Sequence, residues 1–178
     1  MAKNRKFEKQ REFLKDDVRK RTDFTTTDQT LGLPMPPVEK PLPPGARPIP
    51  LPPWQGALRV RGSLDELIAA RRSQRRFLDS PLSAQELSFL LWATQGVRKE
   101  GAERVLRTVP SAGNRHSFET YLALLRPVVG AGGEVFFQAG IWRYLPLSHS
   151  LLHLESPENL QDKVSRAALD QTFAGRAP

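Results

Sequence analysis

Four arginines crowd around one hydroxyl in Arg71-Arg72-Ser73-Gln74-Arg75-Arg76. A guanidinium offers paired N–H donors that match a phosphate or carboxylate bidentately, so this spacing suits an anion site. The same residues also read as a solvated helix end, where cations complement the negative pole of the helix dipole. A second group is the loop Thr108-Val109-Pro110-Ser111-Ala112-Gly113-Asn114-Arg115-His116. Its small residues let the backbone approach a ligand, while Ser111, Asn114 and His116 carry hydrogen-bonding groups. A tight turn with a satisfied histidine is the plainer alternative. The loop lacks the GK[ST] ending of a Walker phosphate loop, and the chain contains no GxGxxG dinucleotide fingerprint. Gln95-Gly96 could set an amide beside a ligand or simply mark the end of a helix.

These groups need elements to hold them. Ser63-Leu64-Asp65-Glu66 is a capping box, so a helix is expected to start there and run into Arg71-Arg72, burying Leu64, Leu67 and Ile68. Ser83-Ala84-Gln85-Glu86 repeats the device. Leu87, Leu90, Leu91 and Trp92 form the apolar face of that second helix, and Gly96 ends it. Beyond Pro110 the period shortens: residues 118–125, 134–138, 141–144 and 151–154 are expected as strands, with a turn at Ser148-His149-Ser150. Ser156, followed by Pro157 and Glu158, opens a last predicted helix carrying Leu160, Val164, Ala167 and Ala168. Helices followed by mostly antiparallel strands define an α+β class.

The composition excludes several chemistries. The chain has 178 residues, no cysteine and three histidines. A disulfide framework, a cysteine nucleophile, a thiolate–zinc site and an iron–sulfur cluster are therefore ruled out, and no metal site is expected. No apolar run has the length of a membrane span and no signal sequence opens the chain, so a cytoplasmic protein is expected. The formal net charge of +8 is uneven: residues 1–21 hold nine Lys/Arg against four acids, which accounts for +5 of it. Phe7, Phe13, Leu14 and Val18 give that segment the thin apolar stripe of a short amphipathic helix. Ten of the 16 prolines fall in residues 34–53, where fixed φ and missing N–H groups demand an extended segment, read as a strap across the domain with Trp54 as its anchor, or else as a ligand for an SH3- or WW-type domain. Three segments result: a basic, then polar leader at 1–33, the Pro-rich strap at 34–55, and a compact part at 56–178.

RRSQRRF, PLSAQELSFLLWATQGVR and RTVPSAGNRHSFETYL, in this order and spacing, resemble the N-terminal half of the nitroreductase superfamily. The match is nearest to its SagB-type branch of FMN-dependent dehydrogenases, similar to the azoline oxidases of peptide-natural-product maturation. The resemblance implies a nitroreductase-like fold, an FMN cofactor and a dimer. It places Arg71, Arg72, Ser73 and Arg75 on the FMN phosphate and ribityl chain. Pro110, Ser111, Ala112, Gly113, Asn114 and His116 fall in the loop near the flavin, with Gln95 and Gly96 as weaker matches. The flavin carries the redox chemistry in such enzymes, so no protein nucleophile is implied. His149 and His153 match no family motif and are expected to be structural.

The family pattern continues with a further strand, a long central helix and a closing strand. On the resemblance, this chain is expected to be an incomplete nitroreductase-like domain, inactive alone unless a second copy or a complementing C-terminal half completes it. The function expected is two-electron (hydride) transfer through bound FMN to a small-molecule or peptide-derived substrate. A non-enzymatic remnant or partner-binding module is the first alternative. A basic nucleic-acid-binding protein is the second, weakened by the lack of a nucleic-acid motif or an aromatic platform.

Overall fold

The computed structural model describes residues 7–56, 62–101 and 105–177. Lys3, Arg5 and Lys6 of the basic run and the terminal Pro178 lie outside the described residues. The chain divides into two compact units, Met1–Pro37 and Val38–Pro178.

In the first unit, helices α1 (Glu8–Phe13) and α2 (Val18–Arg21) occupy the expected amphipathic stretch. Its basic side chains pair with nearby acids: Lys15 and Arg21 both reach Glu12, Arg19 reaches Asp16, and Lys20 reaches Asp17. The bonds from Lys15 and Arg21 hold the Glu12 carboxyl below its ordinary range. Phe13 and Val18 line a shallow concavity between the two helices, and Phe13 and Leu14 stay exposed.

The second unit is built on an antiparallel sheet. Strand β7 (Gly140–Leu145) lies between β4 (Thr120–Leu124) and β8 (Ser150–Glu155), and β1 (Ile49–Pro50) closes the β8 edge. Proline cannot donate to a ladder, so the strap supplies an edge strand and no more. Two smaller ladders join β2 (Val97–Glu100) to β3 (Val105–Arg107) and β5 (Val128–Val129) to β6 (Val135–Phe137).

Helix α4 (Ala84–Gln95) starts on the expected capping box, where Glu86 Oε2 accepts from the Ser83 N–H at 2.8 Å and Ser83 Oγ accepts from the Glu86 N–H at 3.2 Å. Its Leu87 and Leu91 join Leu124, Phe137, Trp142, Tyr144 and Leu151 in the core. Phe137 meets the Trp142 ring edge-on at 5.3 Å, a favoured aromatic geometry. Leu90, assigned above to the same buried face, is exposed. Helix α5 (Leu160–Ala167) completes the element set, and among the described residues no helix is long and apolar enough to cross a membrane.

The strap lies against this unit through many polar bonds. Arg143 donates to the Lys40 carbonyl at 3.0 Å and to the Pro41 carbonyl at 3.5 Å; Arg107 donates to the Val38 carbonyl at 3.2 Å. Glu119 accepts from the Lys40 N–H at 2.7 Å, and Glu39 accepts from the Leu147 N–H. Trp54 stacks face to face on Trp92, 3.6 Å between centroids, in the anchoring role expected of it.

Three expectations about elements are corrected. The capping box at Ser63 is present in α3 (Leu64–Ala70), but Leu64, Leu67 and Ile68 are 74%, 43% and 66% exposed. Periodicity shows which residues share a face and is silent on whether anything covers it. The strand expected from Phe118 starts at Thr120, and Phe118 is exposed. The last helix begins after Asn159 instead of Ser156, because the Ser156 hydroxyl is engaged with the Ala139 carbonyl and His153.

Candidate functional site

Helix α4 positions the first site residue. Gly96 caps it, donating its N–H to the Trp92 carbonyl at 2.8 Å; the Gly96 carbonyl in turn accepts from the Thr108 N–H at 2.9 Å. The Thr108 hydroxyl returns to the Trp92 carbonyl at 2.9 Å. These bonds fasten the start of the 108–118 loop to the helix end, so Gln95 and the loop face one another.

The loop is shaped by three successive uses of left-handed backbone: Gly113 (φ 59), Asn114 (φ 56) and His116 (φ 46). Asparagine and glycine tolerate this region; histidine there needs local support. The His116 N–H donates to Ser111 Oγ at 2.8 Å, and its ring Nε2 lies 3.0 Å from Asn114 Oδ1. Asn114 Nδ2 donates to the Val105 carbonyl at 3.0 Å. Both ends of the Asn114 amide are therefore spent on holding the loop.

What the loop encloses is a cavity of about 330 Å³ lined by Gln95, Val109, Pro110, Ser111, Ala112, Arg115, His116, Ser117 and Phe118. Of the residues singled out from the sequence, Pro110, Ser111, Ala112, His116 and Gln95 line it, while Gly113 and Asn114 shape it from behind. Its volume lies within the range of small-molecule sites. Burial, and secondarily the charge of Arg107, lower the His116 pKa, which keeps the imidazole neutral at pH 7.

The arginine cluster lies elsewhere. Arg71 caps α3, and residues 71–76 are exposed. None of Arg71, Arg72, Arg75 and Arg76 takes part in an ion pair among the described residues. Arg75 sits 5.6 Å over the Phe173 ring. None of the cluster lines the cavity at the 108–118 loop.

Two polar groups escaped the sequence reading. Arg107 and Arg143 are buried, bonded to strap carbonyls, and each leaves its Nε without a hydrogen-bond partner among the described residues. Burial lowers the Arg107 pKa and raises that of Glu39 beside it. An arginine within a strand ordinarily reads as solvent-facing, and only the distant strap makes these two buried. The other group joins Ser88, His149 and Tyr144. It leaves His149 structural, and His153, packed edge-on against Trp142, is structural as well.

These features define an α+β domain with a small cavity lined by hydrogen-bonding groups and Arg115, and a separate set of guanidiniums without an ion-pair partner among the described residues. The chain belongs to the nitroreductase family, whose family model matches residues 68–178. It is also 36% identical over 115 residues to "Putative nitroreductase MJ1384" of Methanocaldococcus jannaschii, covering 65% of this chain and 52% of that protein. The chain thus spans about half the length of the curated relative it matches.

Proposed function

We propose that this chain is an FMN-dependent oxidoreductase of the SagB-type branch, moving two electrons as hydride between flavin and a small-molecule or peptide-derived substrate. Arg71, Arg72, Ser73 and Arg75 would hold the phosphate and ribityl chain; Pro110, Ser111, Ala112, Gly113, Asn114 and His116 would form the flavin neighbourhood. Family membership supports the oxidoreductase class. The observation that carries the reading is the cavity where Gln95 meets the 109–118 loop.

The residues present fit the group. Guanidiniums without carboxylate partners among the described residues are available to a phosphate, where charge-assisted bidentate bonds form. Bound FMN would supply the hydride chemistry, which then requires no side-chain nucleophile. Of this chain's own residues, Arg71 and Arg72 neutralise phosphate charge, Asn114 keeps the loop in shape, and Pro110 and Ala112 give the ring an apolar wall.

Association belongs to the same reading, either as a homodimer or with a chain that supplies a complementing half. The uncovered face of α3 supports it, since a seven-residue helix with no buried residue has little to stabilise it alone. The test is to load the purified chain with FMN, pass it through gel filtration and read flavin absorbance at the protein peak. Co-elution at near one flavin per chain is expected. Protein free of flavin after loading refutes the reading for this chain.

A further inference from the structure

The hydrogen-bond directions at the loop can be assigned one after another. Asn114 Nδ2 donates to the Val105 carbonyl, which orients the amide and leaves Oδ1 as the atom facing His116. Oδ1 only accepts, so His116 must carry its proton on Nε2. The neutral imidazole then has an unprotonated Nδ1, and this atom has no partner among the described residues. Ser111 Oγ already accepts from the His116 N–H, and its hydroxyl proton has no acceptor among the described residues. The Gln95 carboxamide, with a donor and an acceptor, has no hydrogen bond among the described residues either. One cavity therefore gathers an imidazole acceptor, a hydroxyl donor and a carboxamide, with Arg115 and Ser117 also on its lining and Val109, Pro110, Ala112 and Phe118 as its apolar part.

Around His116 this set opposes an anion, because an unprotonated nitrogen repels it, although Arg115 elsewhere on the lining is cationic. The set does suit the edge of a neutral planar ring on which N–H and C=O groups alternate. We propose that the cavity reads such an amide–imide edge: His116 Nδ1 accepts the ring N–H, while the Ser111 hydroxyl and the Gln95 amide donate to flanking carbonyls. This deepens the flavin reading on which it rests, assigning the cavity to the pyrimidine edge of the ring system and His116 to its recognition. The depressed pKa of His116 is consistent with that role, since an imidazolium would present a second donor instead of an acceptor.

The test uses the full chain and riboflavin, which carries the ring without the phosphate. Nitrogen-15 NMR of the imidazole at pH 7 should show the Nε2–H tautomer, and saturating riboflavin should shift Nδ1 while Nε2 keeps its proton. An Nδ1–H tautomer, or an unmoved Nδ1 at saturation, overturns the proposal. The second measurement compares riboflavin with its N3-methyl analogue in the wild type and in His116→Gly, which accepts the positive φ. The wild type should prefer riboflavin by about tenfold or more, the scale of one buried hydrogen bond, and the variant should lose most of that preference. Equal affinities in the wild type, or one ratio in both proteins, overturn the pairing and leave the flavin reading standing. No riboflavin binding with FMN still bound overturns the pairing alone, and no binding of either flavin defeats both.

Discussion

Ser88 Oγ lies 2.6 Å from the Pro52 carbonyl oxygen and 2.8 Å from His149 Nε2, deep between α4 and the strap. The hydroxyl donates to the carbonyl and so accepts from Nε2–H, which leaves His149 Nδ1 to accept from the Tyr144 hydroxyl at 2.8 Å. The His149 carbonyl also accepts from the Leu51 N–H at 3.0 Å. Helix, sheet turn and strap are thus joined through one imidazole, held in a residue with left-handed backbone (φ 46).

Removing that hydroxyl breaks two bonds at once. Ser88→Ala should destabilise the chain by about 1–3 kcal/mol, because the Pro52 carbonyl and the His149 N–H are left buried without partners. Chemical denaturation of the two proteins under identical conditions measures this. An unchanged midpoint would show that the network carries no stability.

His149 should also make stability depend on pH. Burial lowers its pKa in the folded chain below the unfolded value of about 6.5, so the unfolded state binds its proton first on acidification. The contribution is complete above about pH 6.5 and is lost as pH falls below that value. His149→Asn, which tolerates the backbone, should flatten the change. Thermal unfolding from pH 8 to pH 5 gives both curves, and parallel slopes would count against the assignment.

Gly96 is needed for space, since its φ is ordinary. A Cβ there would lie 2.4 Å from the Trp92 ring and 2.5 Å from the Trp92 carbonyl oxygen. Gly96→Ala should therefore cost about 1–3 kcal/mol and widen the spacing between Gln95 and the loop. Riboflavin affinity should fall together with the unfolding midpoint. A variant with wild-type stability would contradict the packing described for this helix end.

Much of this arrangement is local and was legible in the sequence. The Ser83 box, Leu87 and Leu91 define α4, and the proline density sets the extended strap. The loop could be found from its small residues and its Asn114–His116 spacing, and Gln95 from its place beside Gly96. What stayed hidden depends on distant chain. Arg107 and Arg143 are buried by carbonyls 69 to 103 residues away. The β2–β3 ladder was missed because Val97-Arg98-Lys99-Glu100 lacks the alternation of a half-buried strand. The structural part of Asn114 stayed hidden for a related reason: its side chain holds the Val105 carbonyl, a contact that residue types alone do not reveal.

The exposed guanidiniums give a prediction that separates binding from folding. Because Arg71 and Arg72 pair with no acid among the described residues, Arg71→Ala and Arg72→Ala should leave the unfolding midpoint within about 0.5 kcal/mol of wild type. Each should nevertheless weaken FMN by about tenfold or more, the worth of a charge-assisted bond to phosphate. Loss of stability without loss of affinity would assign the cluster to folding.

The central claim is that this chain holds FMN through its phosphate and its ring at separate residues. The most direct measurement is a titration of the full chain with FMN and with riboflavin, followed by quenching of flavin fluorescence, in the wild type and the Arg71→Ala/Arg72→Ala double variant. The wild type should bind both ligands saturably, FMN tighter by about tenfold or more, and the two affinities should converge in the variant. Absence of saturable FMN binding, or a wild type that does not distinguish FMN from riboflavin, would contradict that claim.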